Sequence, residues 1–290
     1  MSLGAWFELI ASGLITGAVY ALVGLGLNLQ YGLMRILNIA HGEFLMLGGY
    51  AAITATKAGV NIWIAMLVVA PLVVGVIGIV VERCVVRFLY GRMVDTMLAT
   101  WGLSLLLVGL VTTIFGNTTA GISSPLGSMV IGTYTVSLYT LFIVFVAAAV
   151  AFGLWLLLKK TRFGLIARGT MQNANMAAGL GLSPPKVYMV TFGIGAALAG
   201  LAGGVLAPIT GVVPTIGVAY VAKAFITVIG GGASILTGTI SASALFGTVN
   251  QLATFATTPV IGEVALLLAA IVLIRLLPQG ITDRFFRRSL

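Results

Sequence analysis

The chain has 290 residues, of which 60% are hydrophobic and only 7% are charged, and its formal net charge is +9. Soluble domains usually carry about 25% charged residues, so this composition excludes an ordinary soluble protein. Uncharged apolar stretches such as 135–158 and 187–218 exceed the roughly 18 residues that cross a hydrocarbon layer. The positive charge does not indicate nucleic-acid binding, because the basic residues flank the apolar stretches.

These stretches predict an all-α fold, a polytopic bundle of transmembrane helices that forms a single domain over residues 1–290. The predicted spans are 6–29, 38–57, 61–82, 95–116, 136–158, 186–208 and 260–278. Residues 218–256 fit either two spans joined by a hinge at Gly230, Gly231 and Gly232 or one span and a re-entrant segment. The expected total is therefore eight or nine spans. Small residues four apart, such as Gly200 and Gly204, are typical of closely packed membrane helices.

The connections between spans differ in charge, and this difference predicts the orientation of the chain. Basic residues lie in connections 83–94 and 159–186 and at the C-terminus, whereas 116–134 and 208–219 carry no charge. Because basic connections stay on the cytoplasmic side of membranes, the C-terminus is predicted to be cytoplasmic.

The connection 159–186 is too polar to span a membrane, yet it has an apolar stripe at roughly helical spacing. The stripe comprises Leu165, Ile166, Met171, Ala174 and Ala178 and is interrupted by Gly169. Gly179 and Gly181 follow as helix-stop signals. The pattern predicts a short cytoplasmic amphipathic helix that either rests on lipid or docks a partner. Gln172, Asn173 and Asn175 favour docking, because a lipid-resting helix would carry more lysine.

Polar and ionisable residues flank the start of the second predicted span, at Asn28, Gln30, Asn38, His41 and Glu43. One interpretation is local: Asn38 caps the span and Glu43 interacts with the positive end of its helix dipole. The other places Asn38, His41 and Glu43 on a translocation path, with Asn28 and Gln30 as further polar contacts, because buried ionisable groups usually face a cavity. With a single histidine and no HExxH pattern, neither a metal site nor a catalytic site is predicted.

Five motifs in order resemble the permease subunits of branched-chain amino-acid ABC importers and their urea and amide relatives. They are LNIAHGEF at 37–44, TRFG at 161–164 with the residues up to Gly181, ALAGLAG at 197–203, GGGASILTG at 230–238 and LPQG at 277–280. Leu277 departs from the arginine that is usual in the last motif. The LATWGLS segment at 98–104 is nearer to the urea-type permeases.

The resemblance implies a non-catalytic transporter subunit of a bacterial inner membrane, surrounded by lipid and binding no cofactor itself. Its partners would be a second homologous permease, a periplasmic solute-binding protein and two cytoplasmic ATPases that bind ATP and Mg²⁺. No GxxxxGK[ST] phosphate loop occurs in this chain, in keeping with a separate ATPase. The residues implied in coupling to the ATPases are Arg162, Gly164, Arg168, Gln172, Asn173, Gly179 and Gly181.

Two other functions remain compatible with the sequence: a secondary transporter and a facilitative channel for a small neutral solute such as urea. A secondary transporter would use acidic residues and broken helices near the midplane, and Glu43 and the glycines at 230–232 fit that pattern. The solute is equally open, since a branched-chain or other small amino acid, an amide or urea would each suit these polar residues.

Overall fold

The computed structural model describes residues 3–131, 134–232 and 234–285. Backbone contacts divide the chain into two compact units. Unit 1 comprises Met1–Leu25, Leu126–Ala151 and Ala222–Leu290, and unit 2 comprises Gly26–Pro125 and Phe152–Val221. The single domain predicted over residues 1–290 therefore stays a prediction, and each unit is described by itself.

The described chain is predominantly helical, as predicted. Its helices are α1 (Leu3–Met34), α2 (His41–Lys57), α3 (Ile62–Ile64), α4 (Ala70–Cys84), α5 (Met93–Phe115), α6 (Leu138–Lys160), α7 (Arg162–Gln172), α8 (Ala174–Gly179), α9 (Pro184–Thr210), α10 (Ile216–Gly231), α11 (Thr237–Ala256), α12 (Pro259–Leu276) and α13 (Gly280–Phe285). A π-helical turn, Ala65–Val69, joins α3 to α4, and a 3₁₀ turn, Val86–Leu89, follows α4. A short antiparallel hairpin of β1 (Ser128–Ile131) and β2 (Tyr134–Ser137) precedes α6, and the hydropathy pattern did not predict it.

Among the described residues, six helical segments are long and apolar enough to cross a membrane. They are Leu9–Met34, Ile62–Cys84, Met93–Phe115, Leu138–Lys160, Pro184–Thr210 and Pro259–Thr282. Each matches a predicted span. The predicted total of eight or nine is not confirmed, because α2 and α10 have only 17 and 16 residues and α11 is not among the six. The ambiguous stretch 218–256 forms two helices, α10 and α11, joined by a glycine-containing turn.

Unit 2 is built around α9, which packs against both α2 and α4. Glycine makes this close packing possible: a Cβ at Gly203 would overlap the carbonyl oxygen of Leu45, and one at Gly200 would lie 2.6 Å from Cβ of Val74. Phe44 and Phe192 contact edge to face, with ring centroids 6.0 Å apart, within the apolar cluster of this unit. Small residues let the helix backbones approach closely where lipid gives little hydrophobic drive for association.

Unit 1 packs α11 against α12, with Tyr20 and Phe246 in its apolar cluster. Lys223 and Glu263 form an ion pair with Nζ and Oε1 2.8 Å apart, and Lys223 also lies 5.9 Å from the ring centroid of Tyr20. The sequence pattern did not predict that these two charges would pair.

Candidate functional site

Helix α2 begins inside unit 2, alongside the body of α1. The preceding residues 35–40 form no regular helix or strand, and Arg35 has a left-handed backbone with φ of 52°. A Cβ at Gly26 would lie 3.1 Å from Cε1 of His41, so α2 starts about two helical turns before the end of α1. The chain thus turns back on α1 before the second helix forms, as in a broken or re-entrant membrane helix.

Two buried amides hold this re-entrant segment. Nδ2 of Asn38 donates a hydrogen bond to Oε1 of Gln30 over 3.1 Å, and Nε2 of Gln30 donates to the carbonyl oxygen of Phe192, also over 3.1 Å. The backbone N–H of Ile39 donates to Oγ1 of Thr100 on α5. The local interpretation of Asn38 is wrong, because the N-cap of α2 is Ala40, which makes no side-chain cap bond. Asn38 reaches α1 because the segment runs back along that helix.

Glu43 lies in the first turn of α2 and is 1% exposed. Oγ of Ser104 donates a hydrogen bond to its Oε1 over 2.9 Å. Ser104 stands near the middle of α5, a helix of 23 residues, and a helix of that length spans the ~30 Å hydrocarbon layer. Glu43 is therefore held near the middle of a membrane-spanning helix.

The first turn of α10 lies against the same carboxyl group. A Cβ at Gly217 would lie 2.7 Å from Cδ of Glu43, and one at Gly42 would overlap the carbonyl oxygen of Gly217. The N-terminal ends of α2 and α10 thus meet at Glu43. Helix N-termini carry partial positive charge, so this arrangement favours an anionic group at that point.

The other predicted site residues of this region are buried but have different neighbours. Asn28 is 2% exposed and His41 is fully buried. His41 lies near Gly26 on α1, whereas Glu43 lies near Ser104 and Gly217. The structure therefore brings Gln30 and Asn38 together by hydrogen bonding and places His41 and Glu43 against different helices.

Thr100 and Ser104, which hold the re-entrant segment and Glu43, were not among the predicted site residues. The two residues are four apart and so share one face of α5. This polar spacing within the apolar stretch 98–104 was the signal that could have identified them. Gly217 was also missed, because a glycine that matters through close backbone contact leaves no local pattern.

The polar connection 159–186 forms two short helices, α7 and α8. The helix breaks at Asn173, whose side chain accepts a hydrogen bond from the backbone N–H of Met176 over 2.9 Å, so the interruption predicted at Gly169 is wrong. The buried face of α7 consists of Gly164, Ala167 and Thr170.

The apolar stripe predicted for this connection is also wrong as a buried face. Leu165 and Met171 are 66% and 37% exposed, and Ala178 is exposed. Glycine and alanine occupy the buried face because α7 crosses the end of α6 closely: a Cβ at Gly164 would overlap the carbonyl oxygens of Leu157 and Leu158.

The remaining coupling residues are placed as follows. Arg162 begins α7, and Nε of Arg168 donates to the carbonyl oxygen of Gly164 over 3.2 Å. Gln172 and Asn173 are exposed at the break between the helices, and Gly179 ends α8. Gly181, with φ of 84°, follows in the turn. Five of these residues therefore mark the ends of the two helices, the break between them or the turn after them.

The glycines predicted as a hinge are tightly packed within unit 1. Gly230 and Gly231 end α10, and Gly232 adopts φ of 82°. A Cβ at Gly232 would lie 2.5 Å from the carbonyl oxygen of Gln279, and Oγ1 of Thr282 donates a hydrogen bond to the carbonyl oxygen of Gly231. The C-terminal segment thus holds this turn, and movement about it stays a prediction.

A family model described as the permease component of a branched-chain amino acid transport system matches residues 9–277. The chain belongs to this family. The resemblance inferred from the five motifs is thereby confirmed, and the match covers nearly all of both units of this permease family member.

Curated relatives of this permease family member align over most of its length. The probable branched-chain amino acid transport permease protein LivH of Methanocaldococcus jannaschii is 28% identical, covering 94% of this chain and 91% of that protein. The high-affinity branched-chain amino acid transport system permease protein BraD of Pseudomonas aeruginosa is 29% identical, with 83% and 84% covered. LivH of Escherichia coli is 27% identical, with 94% of each chain covered.

The structure of PsaBC from Streptococcus pneumoniae in complex with Fab has a similar fold. The TM-score is 0.50 at 16% identity, and the alignment covers 96% of this chain and 94% of that chain. At this identity the likeness supports the fold alone.

Proposed function

We propose that this chain is the membrane-spanning permease subunit of an ATP-driven importer that carries branched-chain amino acids across a bacterial inner membrane. The family match over residues 9–277 is the observation that carries the proposal. The named relatives are branched-chain amino acid permeases, which favours an amino acid over urea or an amide. The chain itself catalyses no reaction in this proposal.

The translocation path runs past Glu43 and the amides that hold the re-entrant segment. A charged side chain at the bilayer centre costs at least ~2.5 kcal/mol on insertion scales, so such a residue faces a pathway or a partner. Glu43 is supported by Ser104, and Asn38 by Gln30. Together with Asn28 and His41 they concentrate the buried polarity of unit 2 around the start of α2.

ATP hydrolysis is supplied by two cytoplasmic ATPases that bind ATP and Mg²⁺ and dock on α7 and α8. Leu165 on α7 and Met176 on α8 are 66% and 67% exposed, Leu180 just after α8 is 78% exposed, and Arg162 and Arg168 lie on α7. Exposed apolar side chains beside arginines are typical of protein interfaces. A second homologous permease and a periplasmic binding protein complete the importer, and the C-terminus of this chain is cytoplasmic.

Uptake measurements separate this function from its rivals. With the partner permease, the ATPases and the binding protein reconstituted in liposomes, leucine uptake should require ATP and should persist when ionophores collapse the ion gradients. A secondary transporter would respond to the ionophores and not to ATP. A facilitative channel would equilibrate leucine without either.

The docking surface is tested by making two exposed residues polar. Leu165→Gln combined with Met176→Gln should reduce ATPase co-purification at least tenfold, because the exposed apolar contacts of both helices are lost. Gly102→Ala on α5 is the control: it lies outside α7 and α8, has nothing within 4 Å of an added Cβ and should bind the ATPases normally. Normal co-purification by the double variant would contradict docking at α7 and α8.

A further inference from the structure

Two groups that attract opposite charges lie side by side where α2 and α10 begin in unit 2. One is the carboxyl group of Glu43, and the other is the N-terminal turn of α10, which starts at Ile216 and passes Gly217 beside that carboxyl group. A carboxylate attracts a cation, and a helix N-terminus attracts an anion. Broken membrane helices in transporters use such N-termini to hold the carboxylate of their substrates.

Half of the Glu43 carboxyl group is left without a protein partner. Its Oε1 accepts the hydrogen bond from Ser104, while its Oε2 has no hydrogen-bond partner within the part of the chain that the structure describes. The side chain is 1% exposed, and a buried polar atom without a partner costs about 1–3 kcal/mol. An unpaired buried acceptor in a transport protein points to a ligand that supplies the missing donor.

We propose that the zwitterionic head group of an amino acid binds here during transport. The α-ammonium group donates to Oε2 of Glu43, and the α-carboxylate accepts from the backbone N–H of Gly217, since the N–H groups of Ile216 and Val218 donate to the carbonyl oxygens of Val213 and Thr215. This inference rests on the proposed function and specifies the substrate chemistry at that site. Urea offers neither charge, so the same arrangement selects against it.

The apolar neighbours suit the rest of such a substrate. Ile216, at the start of α10, packs on the apolar cluster of unit 2, which includes Phe44, Phe192 and Val74. Phe44 directly follows Glu43 on α2. A head group held between Glu43 and α10 would therefore direct an aliphatic side chain toward an aliphatic and aromatic surface, where burial is favourable.

The two helix ends are in contact in this structure, so the site is closed. The contact is between backbones, because Gly42 and Gly217 carry no side chains that interlock. Withdrawal of the α10 turn from α2 exposes Oε2 of Glu43 and the backbone N–H of Gly217 together. Opening therefore creates the cationic and anionic subsites in one movement.

The test measures binding of radiolabelled leucine to the assembled permease–ATPase complex in lipid nanodiscs, without the binding protein. Two analogues each lack one charge: leucinamide has no carboxylate, and 4-methyl-2-oxopentanoate has no ammonium. For the unmodified complex, each analogue should compete at least tenfold more weakly than leucine. Equal competition by 4-methyl-2-oxopentanoate would overturn the assignment of Glu43 without any substitution.

Glu43→Gln keeps the shape of the side chain and removes its charge. It should weaken leucine binding at least tenfold and abolish the advantage of leucine over 4-methyl-2-oxopentanoate. Glu82→Gln is the matched control, because Glu82 is also buried in unit 2, accepts a hydrogen bond from Tyr90 and should bind leucine normally after the change. Unchanged leucine binding by Glu43→Gln would overturn the inference and leave the proposed function intact. ATP-dependent uptake is not the readout of this binding test. If the unmodified complex showed no ATP-dependent uptake, the proposed function itself would be overturned.

Discussion

The buried amide group of Gln30 is held by partners on two other parts of unit 2. Gln30 is fully buried and bonds both Asn38 and the carbonyl oxygen of Phe192. Polarity inside an apolar stretch was enough to single out Gln30, Asn38 and Glu43 from the sequence. Their partners could not be predicted, because hydropathy does not tell which faces of distant helices meet.

The hydrogen bond between Tyr90 and Glu82 leads to a prediction at alkaline pH. Burial, and next this hydrogen bond, raises the pKa of Tyr90 above its ordinary value of 10.0. Because the pKa of Tyr90 is higher in the folded protein than in the unfolded chain, its contribution to the free energy of unfolding is fully present below the pKa of the unfolded chain. That contribution is lost as the pH rises from there toward the pKa of the folded protein. The thermal unfolding midpoint should therefore fall between about pH 9 and about pH 11 less steeply for Tyr90→Phe than for the unmodified protein.

Thermal unfolding of the unmodified protein and of Tyr90→Phe, measured at a series of pH values across this range, tests the difference in slope. An identical pH slope for Tyr90→Phe and the unmodified protein would show that Tyr90 does not contribute.

Glycine spacing determines how α9 contacts its two neighbours. Gly200 and Gly203 lie against α2 and α4, and Gly204 lies against Met66 and Ala70. The pairing of Gly200 with Gly204 was visible in the sequence as a small-residue pattern. The identity of the helices that pack on it was not, because the same pattern suits any close helix neighbour.

A matched pair of alanine substitutions tests this packing. Gly203→Ala should destabilise the protein by about 1–3 kcal/mol, because the added Cβ overlaps the backbone of α2 and overpacking forces helices apart. Gly102→Ala on α5 has nothing within 4 Å of the added Cβ and should be neutral or stabilising by about 0.5–1 kcal/mol. The stabilities of both variants are measured by heating the purified proteins in detergent and monitoring the loss of the folded peak by size-exclusion chromatography. Equal stability of the two variants would refute the close contact.

The break between α7 and α8 shows how local chemistry overrides a simple glycine rule. Gly169 was expected to interrupt the helix, yet a helix interior tolerates glycine at a cost of about 1 kcal/mol. Asn173 instead caps the next helix through its side chain. The sequence therefore predicted the presence of a short helical connection correctly but misplaced both its break and its buried face.

At the scale of the whole molecule, the sequence was sufficient to predict a bundle of membrane-spanning helices but not where α2 begins. Apolar length identified the six candidate spans found among the described residues, because a hydrocarbon layer requires long apolar helices. It assigned a full span to α2, since the apolar residues continue through 38–57 while the helix begins only at His41. The re-entrant residues 35–40 depend on buried hydrogen bonds to α1 and α5, which a hydropathy profile does not contain.

The orientation of the whole chain is tested by cysteine labelling. Cys84 is the only cysteine and is exposed, so a Cys84→Ser background is required. In intact cells, Ser123→Cys should react with a membrane-impermeant thiol reagent, and Asn173→Cys should react only after permeabilisation, because basic connections stay in the cytoplasm. The opposite pattern would reverse the proposed topology.

The dependence of α2 on α9 also sets an order for biogenesis. Helix α2 leaves the ribosome at Lys57, but the helix that packs on its glycine face begins only at Pro184. At ~5–20 residues per second, synthesis of the intervening chain takes roughly 6–25 s. Throughout that interval Glu43 lacks the neighbour supplied by α10. The close packing of α2 on α9 can therefore form only after the second half of the protein has been synthesised.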